Sequence, residues 1–138
     1  CIRDRPFDYM SLSTIETDRP GNTYTADTLA QIYDSYKKIY FIIGADSLLY
    51  IQDWYHPEYI CSHCHLLCAN RDNNSASVLI DQKHFLADKY GAVIDFIDVP
   101  ELPYSSTDIR KKVAMGLSVK EDVGEEVEEY IKSRKLYV

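Results

Sequence analysis

The sequence has no long hydrophobic run. Its longest apolar stretches reach about five residues, whereas a helix that crosses a membrane needs roughly 20, and neither a signal peptide nor a transit-like segment is recognisable. Basic residues are also in short supply, since 15 lysines and arginines stand against 22 acidic residues and the formal net charge is −7. This balance argues against a broad nucleic-acid-binding face, which needs a basic surface. A small phosphate ligand remains compatible with it, because such a ligand needs only a local cluster of donors.

Cysteine is scarce as well. The chain contains four cysteines, and three of them, Cys61, Cys64 and Cys68, lie close together. This spacing is poor for a disulfide framework, so we expect a reducing compartment and a cytoplasmic protein. With His63 and His65 nearby, the same stretch offers ligands for a zinc site. A buried strand that starts at His65 would instead separate Cys64 and Cys68 from His65 on opposite faces, which favours cysteines packed as small hydrophobes. The zinc-binding interaction domain stays an alternative.

Apolar residues along the chain follow helical spacing in some segments and strand-like spacing in others. The run Ile39–Ile43 is typical of a strand that is buried on both faces of a parallel sheet. The other predicted strands are Met10–Ile15, His65–Ala69 and Ala92–Val99, and the predicted helices are Thr25–Tyr36, Pro57–His63, Val78–Tyr90, Ser105–Met115 and Gly124–Arg134. The alternation predicts an α/β fold with a mostly parallel sheet, within one domain over residues 1–138. Ligands in such sheets bind beyond the carboxyl ends of the strands, which here means residues 44–46, 70–71 and 100–110.

The segment Ser105–Arg110 has the chemistry of a phosphate-binding helix start. Ser105 and Ser106 are good N-cap residues, and the start of a helix presents free N–H groups and the positive end of the helix dipole. The hydroxyls of Ser106 and Thr107 and the guanidinium of Arg110 would add further donors for a phosphate. The alternative is a well-capped helix that carries a surface arginine.

Two other places combine a turn with a candidate ligand contact. Gly44 follows the strand at 39–43 and would let the backbone turn sharply and a ligand approach closely. Asp46 could accept hydrogen bonds from ribose hydroxyls, or it could cap the turn that follows. Trp54, the single tryptophan, could offer an aromatic face to a planar ligand, although its spacing alone favours packing between sheet and helix.

Taken together, these segments resemble the nicotinate-nucleotide adenylyltransferases of bacteria in their order and spacing. The resemblance rests on Gly21–Leu29 (GNTYTADTL), Phe41–Leu48 (FIIGADSL), Trp54–Tyr55 and Ser105–Arg110 (SSTDIR), and Val127–Tyr137 is similar to the last helix of that family. The family transfers AMP from ATP to nicotinate mononucleotide, a step of NAD biosynthesis that requires Mg²⁺ and yields nicotinate adenine dinucleotide and pyrophosphate. The resemblance implies a Rossmann-like nucleotidyltransferase fold whose partners are these small molecules rather than nucleic acid or a membrane.

The resemblance also implies a role for each candidate site residue. The ATP phosphates would be held by Ser105, Ser106, Thr107 and Arg110, and ribose would contact Gly44 and Asp46. The nicotinate ring would stack on Trp54 with Tyr55 beside it, and its carboxylate would meet backbone N–H groups around Tyr24 and Thr25.

One motif of that family is missing from these 138 residues. The family's first strand leads into a Gly-x-Phe-Asp-Pro-x-His-x-Gly-His loop, whose histidines bind the α- and β-phosphates in the transition state. The four histidines of this chain, His56, His63, His65 and His84, do not stand in that context. We therefore expect a fragment that lacks its first βα unit and is inactive by itself. A catalytically dead nucleotide-binding module is the alternative, and the sequence leaves the formation of homo-oligomers open.

Overall fold

The computed structural model describes residues 9–36, 38–70, 76–99 and 105–138. The chain divides into two compact units. The larger unit is Thr14–Glu101, and the smaller one consists of Leu102–Val138 together with Cys1–Ser13. The single domain expected over residues 1–138 stays a prediction.

A parallel three-stranded sheet organises the larger unit. Its elements are α1 (Thr25–Ile32), a 3-10 turn (Tyr33–Ser35), β1 (Tyr40–Gly44), α2 (Ala45–Leu49), a second 3-10 turn (Ile51–Asp53), α3 (Pro57–His63), β2 (His65–Asn70), α4 (Ala76–Tyr90) and β3 (Val93–Asp98). The strands lie in the order β1-β2-β3 and are all parallel, with Gly44 beside Ala69 and Ala69 beside Ile97. This arrangement confirms the predicted α/β fold with a parallel sheet. No helix in the described ranges is long and apolar enough to cross a membrane.

Within the described residues, one face of the sheet is well buried and the other is not. Ile43, Leu66, Cys68 and Ile94 are at most 4% exposed and belong to one cluster with buried residues of α2, α3 and α4. On the other face Ile42 is 67% exposed. The prediction that the strand at 39–43 is buried on both faces is therefore wrong. Successive side chains of a strand point to opposite sides, and the helices cover the side that carries Ile43.

No strand forms over Met10–Ile15. The backbone there is irregular and enters a turn at residues 15–17. The carbonyl oxygen of Thr14 accepts hydrogen bonds from the hydroxyl of Thr17 and from the backbone N–H of Asp18, both at 2.9 Å. Local hydrogen bonds of Ser, Thr and Asp side chains compete with strand pairing, and the predicted strand is wrong.

The described part of the smaller unit contains three short helices. They are α5 (Ser106–Ala114), α6 (Lys120–Val123) and α7 (Glu125–Ser133). Glu128 of α7 is only 7% exposed. Its carboxylate accepts hydrogen bonds from the Ser118 hydroxyl at 2.6 Å and from the Val119 N–H at 2.8 Å, and it pairs with Lys132 at 2.9 Å. The Ser118 hydroxyl, the Lys132 ammonium and the Val119 N–H together lower the pKa of Glu128 to about 2.

Candidate functional site

A cavity of about 370 Å³ brings together four of the predicted site residues. Tyr24, Thr25, Trp54 and Tyr55 all line it, joined by Thr23, Asp53 and Ile60. The first two belong to the start of α1, and the second two follow the 3-10 turn after α2. Thr23 and Asp53 are chain neighbours of predicted residues and could have been inferred by adjacency. Ile60 could not, because it reaches the cavity through the packing of α3.

Aromatic rings form one wall of this cavity. The rings of Tyr24 and Tyr55 lie 4.5 Å apart between centroids at an angle of 32°. Trp54 is partly buried and meets Phe41 of β1 edge to face, with centroids 6.3 Å apart. His56, directly after Tyr55, adopts a left-handed backbone (φ 50°) before Pro57 opens α3. A non-glycine residue in this conformation is uncommon and marks a tightly specified turn.

The start of α1 lies at the same cavity and has no side-chain cap. Tyr24 is the N-cap residue, and no side-chain hydrogen bond caps this end of the helix. The first N–H groups of a helix have no partner within the helix, and the dipole makes that end favourable for negative charge. Tyr24 and Thr25 both line the cavity, so the site combines aromatic surface with donors suited to an anion.

A small network holds the turn before α1 against the helix. The Arg19 guanidinium donates to the Thr28 hydroxyl at 3.1 Å, and this hydroxyl donates to the Glu16 carboxylate at 2.8 Å. Asn22 adds a contact of 3.3 Å from its amide to the hydroxyl of Tyr24. The network links residues on both sides of Tyr24 and therefore helps to fix the start of α1. Neither Arg19 nor Thr28 was predicted to matter for the site.

Gly44 and Asp46 lie at the carboxyl end of β1, as predicted. Gly44 has φ −77° and ψ 159°, a conformation open to any residue, so the expected sharp glycine turn is wrong. A Cβ at Gly44 would meet no atom within 4 Å, which leaves open space for the expected close approach of a ligand. Asp46 is exposed in the first turn of α2, whose N-cap is Gly44; the alternative of Asp46 as the cap is therefore wrong. Of the other expected ligand regions, residues 71 and 100–104 lie outside the described residues.

The predicted phosphate-binding residues lie at the start of α5 in the smaller unit. Ser105 is the N-cap: its hydroxyl oxygen accepts a hydrogen bond from the Asp108 N–H at 3.0 Å, and the same hydroxyl donates a hydrogen bond to the Asp108 carboxylate at 2.6 Å. The Ser105 hydroxyl is thus engaged within the cap. Ser106, Thr107 and Arg110 are exposed, and the guanidinium of Arg110 lies 5.8 Å from the ring centroid of Tyr137. The exposed donors of this helix start are therefore Ser106, Thr107 and Arg110.

The cysteines of the 61–68 stretch are core residues. Cys61, Cys64 and Cys68 are buried free thiols. Burial raises the pKa of Cys61 to about 11 and that of Cys64 to about 12. This confirms the interpretation of these residues as small hydrophobes.

The neighbouring histidines are engaged in contacts of their own. His63 stacks on Tyr59 with ring centroids 3.8 Å apart, and Nε2 of His65 lies 2.9 Å from the Asp95 carboxylate. Within the described ranges, no three His, Cys, Asp or Glu side chains converge on a point that could hold a metal ion. The alternative of a zinc site thus has no support in this part of the chain.

The sequence has relatives over nearly its whole length. The model of the cytidylyltransferase-like family matches residues 7–112. Probable nicotinate-nucleotide adenylyltransferases of Lachnoclostridium phytofermentans, Thermoanaerobacter sp. (strain X514) and Moorella thermoacetica are 35%, 38% and 38% identical over 99%, 94% and 94% of this chain. The chain in turn covers 68%, 63% and 61% of those relatives.

Solved structures with a similar fold come from Plasmodium falciparum. Its nicotinic acid mononucleotide adenylyltransferase complexed with APC has a TM-score of 0.63 at 18% identity, over 86% of this chain and 60% of that one. The same enzyme complexed with NaAD has a TM-score of 0.62 at 18% identity, over 84% and 58%. These likenesses confirm the Rossmann-like fold.

Proposed function

This chain belongs to the nicotinate-nucleotide adenylyltransferase family, and we propose that its aromatic cavity binds nicotinate mononucleotide for the transfer of AMP from ATP. The products of the proposed reaction are nicotinate adenine dinucleotide and pyrophosphate. The observation that carries the proposal is the cavity of about 370 Å³ in which Trp54 and Tyr55 meet the uncapped start of α1.

The two sides of this cavity match the two parts of a nicotinate group. The flat ring fits beside Trp54 and Tyr55, because aromatic faces stack favourably on planar heterocycles. The ring carboxylate fits the N–H groups that follow Tyr24, because a helix N-terminus stabilises an anion through hydrogen bonds and its dipole. A purely apolar ligand would leave these donors unpaired, and a neutral amide would forgo the charge interaction with the helix dipole.

ATP binding is assigned to residues whose chemistry suits phosphate and ribose. Within the smaller unit, Ser106, Thr107 and Arg110 supply exposed hydroxyl and guanidinium donors at the start of α5. Within the larger unit, the exposed carboxylate of Asp46 can accept a hydrogen bond from a ribose hydroxyl. Mg²⁺ belongs to the proposal as part of the substrate MgATP. Within the described ranges, no three His, Cys, Asp or Glu side chains are grouped so that they could hold a metal ion. Mg²⁺ in such reactions is commonly held through substrate phosphates and water.

In the proposed reaction the protein has to position the two substrates and stabilise the phosphate charge. A phosphate oxygen of nicotinate mononucleotide forms a bond to the α-phosphorus of ATP, and the bond from that phosphorus to the β-phosphate oxygen breaks, releasing pyrophosphate. Positioning and charge stabilisation provide most of the catalysis in such transfers. The cavity would contribute by orienting the acceptor, and Arg110 by pairing with phosphate charge. The P. falciparum structure complexed with NaAD lends support, since its fold is similar.

The proposal is tested by binding and turnover measured together. Calorimetric titration of this chain with nicotinate mononucleotide should give saturable binding at one site. The whole protein, supplied with MgATP, should release pyrophosphate in step with nicotinate adenine dinucleotide. Binding without release by the whole protein would identify a catalytically dead module, and absence of binding would overturn the proposal. We also propose a cytoplasmic location, because the buried free thiols suit a reducing compartment.

A further inference from the structure

Two glutamines connect α4 to the segment that carries Asp46 and Trp54. The Nε2 of Gln82 on α4 lies 2.6 Å from Oε1 of Gln52 and 3.1 Å from the carbonyl oxygen of Leu48, with the carbonyl of Leu49 at 3.5 Å. Gln52 in turn donates to the carbonyl of Leu49 at 2.9 Å. The contact joins residues 30 positions apart, so it belongs to the tertiary structure of the larger unit.

The segment between Gly44 and Trp54 needs such support. α2 has only five residues and is followed by a 3-10 turn of three, and helices this short are not stable by themselves. The last carbonyls of a helix have no partner within it. Gln82 and Gln52 satisfy those of Leu48 and Leu49 from outside the helix.

Apolar burial alone does not fix this segment in every direction. Leu48 and Ile51 are fully buried and hold it against the core. Apolar contacts are non-directional, whereas the amide hydrogen bonds specify both distance and angle. Because the backbone N–H of Trp54 bonds to the carbonyl of Ile51 at 3.1 Å, the direction of the 3-10 turn also sets where the indole lies.

We propose that Gln82 and Gln52 form a positioning clamp that fixes Trp54 in the aromatic cavity. Gln82 is not among the residues that line the cavity, so it acts through the α2 segment and not by contact with a ligand. The consequence for nicotinate mononucleotide affinity rests on the proposed function. The consequence for the position of Trp54 does not.

The test replaces Gln82 by leucine, which keeps a similar volume and removes both donors. Because Trp54 is the single tryptophan, its fluorescence reports the clamp directly. We expect Gln82→Leu to raise the acrylamide quenching of Trp54 and to weaken binding of nicotinate mononucleotide about five- to tenfold, the size expected for one or two net hydrogen bonds. Gln82→Glu should not restore affinity, because a carboxylate cannot donate to these three oxygens. Gln31→Leu, at an exposed position of α1, is the matched control. Its acrylamide quenching and its affinity for nicotinate mononucleotide should equal those of the unchanged protein.

A second control separates positioning from general stability. Leu86→Val removes part of a buried side chain of the same helix without touching the clamp. Equal losses of ligand affinity in Leu86→Val and Gln82→Leu, at equal loss of melting temperature, would overturn the proposal. Should Gln82→Leu fail to fold, Gln52→Leu removes the 2.6 Å contact from the other side and must give the same quenching result. If the unchanged protein does not bind nicotinate mononucleotide, the proposed function fails, while increased quenching in Gln82→Leu still supports the clamp and unchanged quenching refutes it.

Discussion

Replacing Trp54 by alanine should weaken binding of nicotinate mononucleotide by about 5- to 150-fold. The range follows from stacking of a base on an aromatic side chain, which contributes about 1–3 kcal/mol when measured by alanine substitution. Trp54 lines the cavity beside Tyr55, and its indole also pairs edge to face with Phe41 at 6.3 Å between ring centroids. Loss of that pairing should separately lower the free energy of unfolding by about 0.5–1.5 kcal/mol, in addition to the loss of buried area.

The two effects are separated by measuring affinity and stability on the same variants. Calorimetry suits the affinity measurement, because Trp54→Ala removes the fluorophore. Trp54→Phe retains an aromatic face and should lose less affinity than Trp54→Ala. Phe85→Ala, which removes an exposed aromatic ring of α4, should leave the dissociation constant unchanged. Affinity equal to that of the unchanged protein in a folded Trp54→Ala variant would refute a stacking role for the indole.

Two further predictions concern groups outside the cavity. The pKa of Glu128 is lowered from 4.5 to about 2, so its contribution to stability should be complete above about pH 5 and should disappear as the pH falls through 2. In urea unfolding from pH 6 to 2, the free energy of unfolding of Glu128→Gln should depend less steeply on pH than that of the unchanged protein. Identical profiles of the two proteins would contradict this. Cys61 and Cys64, with pKa values of about 11 and 12, should react with iodoacetamide at pH 8 at least about 100-fold more slowly in the folded chain than in urea, because the thiolate is the nucleophile. Equal rates in the two states would show that these thiols are not shielded.

Helices and strands whose ends are set by residues within or next to them could be predicted from the sequence. Helix α3 begins and ends at Pro57 and His63 as predicted, because proline is favoured at the first helical position and an apolar face follows. The alternation within β2 also held, with Leu66 and Cys68 buried. Helix α2 and the 3-10 turn after it were not predicted, because α2 depends on a distant contact: its last carbonyls, those of Leu48 and Leu49, accept hydrogen bonds from Gln82, more than 30 positions away.

The candidate site depended more on the resemblance than on spacing. Spacing alone favoured a packing role for Trp54, and the structure gives it both a packing contact with Phe41 and a place in the cavity wall. The sequence does not indicate Ile60, because this residue reaches the cavity only through the packing of α3 against the segment before it. Residues that adjoin a motif in the sequence can be inferred from that motif. Residues that tertiary packing brings to the site can be identified only from the three-dimensional structure.

Asp53 makes the charge balance of the cavity testable. Asp53 lines the same cavity as the uncapped start of α1, so its negative charge should oppose the carboxylate of nicotinate that the helix N-terminus attracts. Nicotinamide mononucleotide has the same ribose and phosphate but a neutral amide, and the ratio of the two dissociation constants therefore isolates this effect. Asp53→Asn should shift the ratio about two- to fivefold further towards nicotinate, the size expected for a partly solvated charge pair, and 0.5 M salt should reduce the shift because it screens exposed charges. Asp34→Asn, at an exposed aspartate of the turn after α1, should leave the ratio unchanged. If Asp53→Asn strengthened the binding of both nucleotides equally, the carboxylate of Asp53 would be acting on their common phosphate, and the nicotinate carboxylate would have to lie elsewhere than the start of α1.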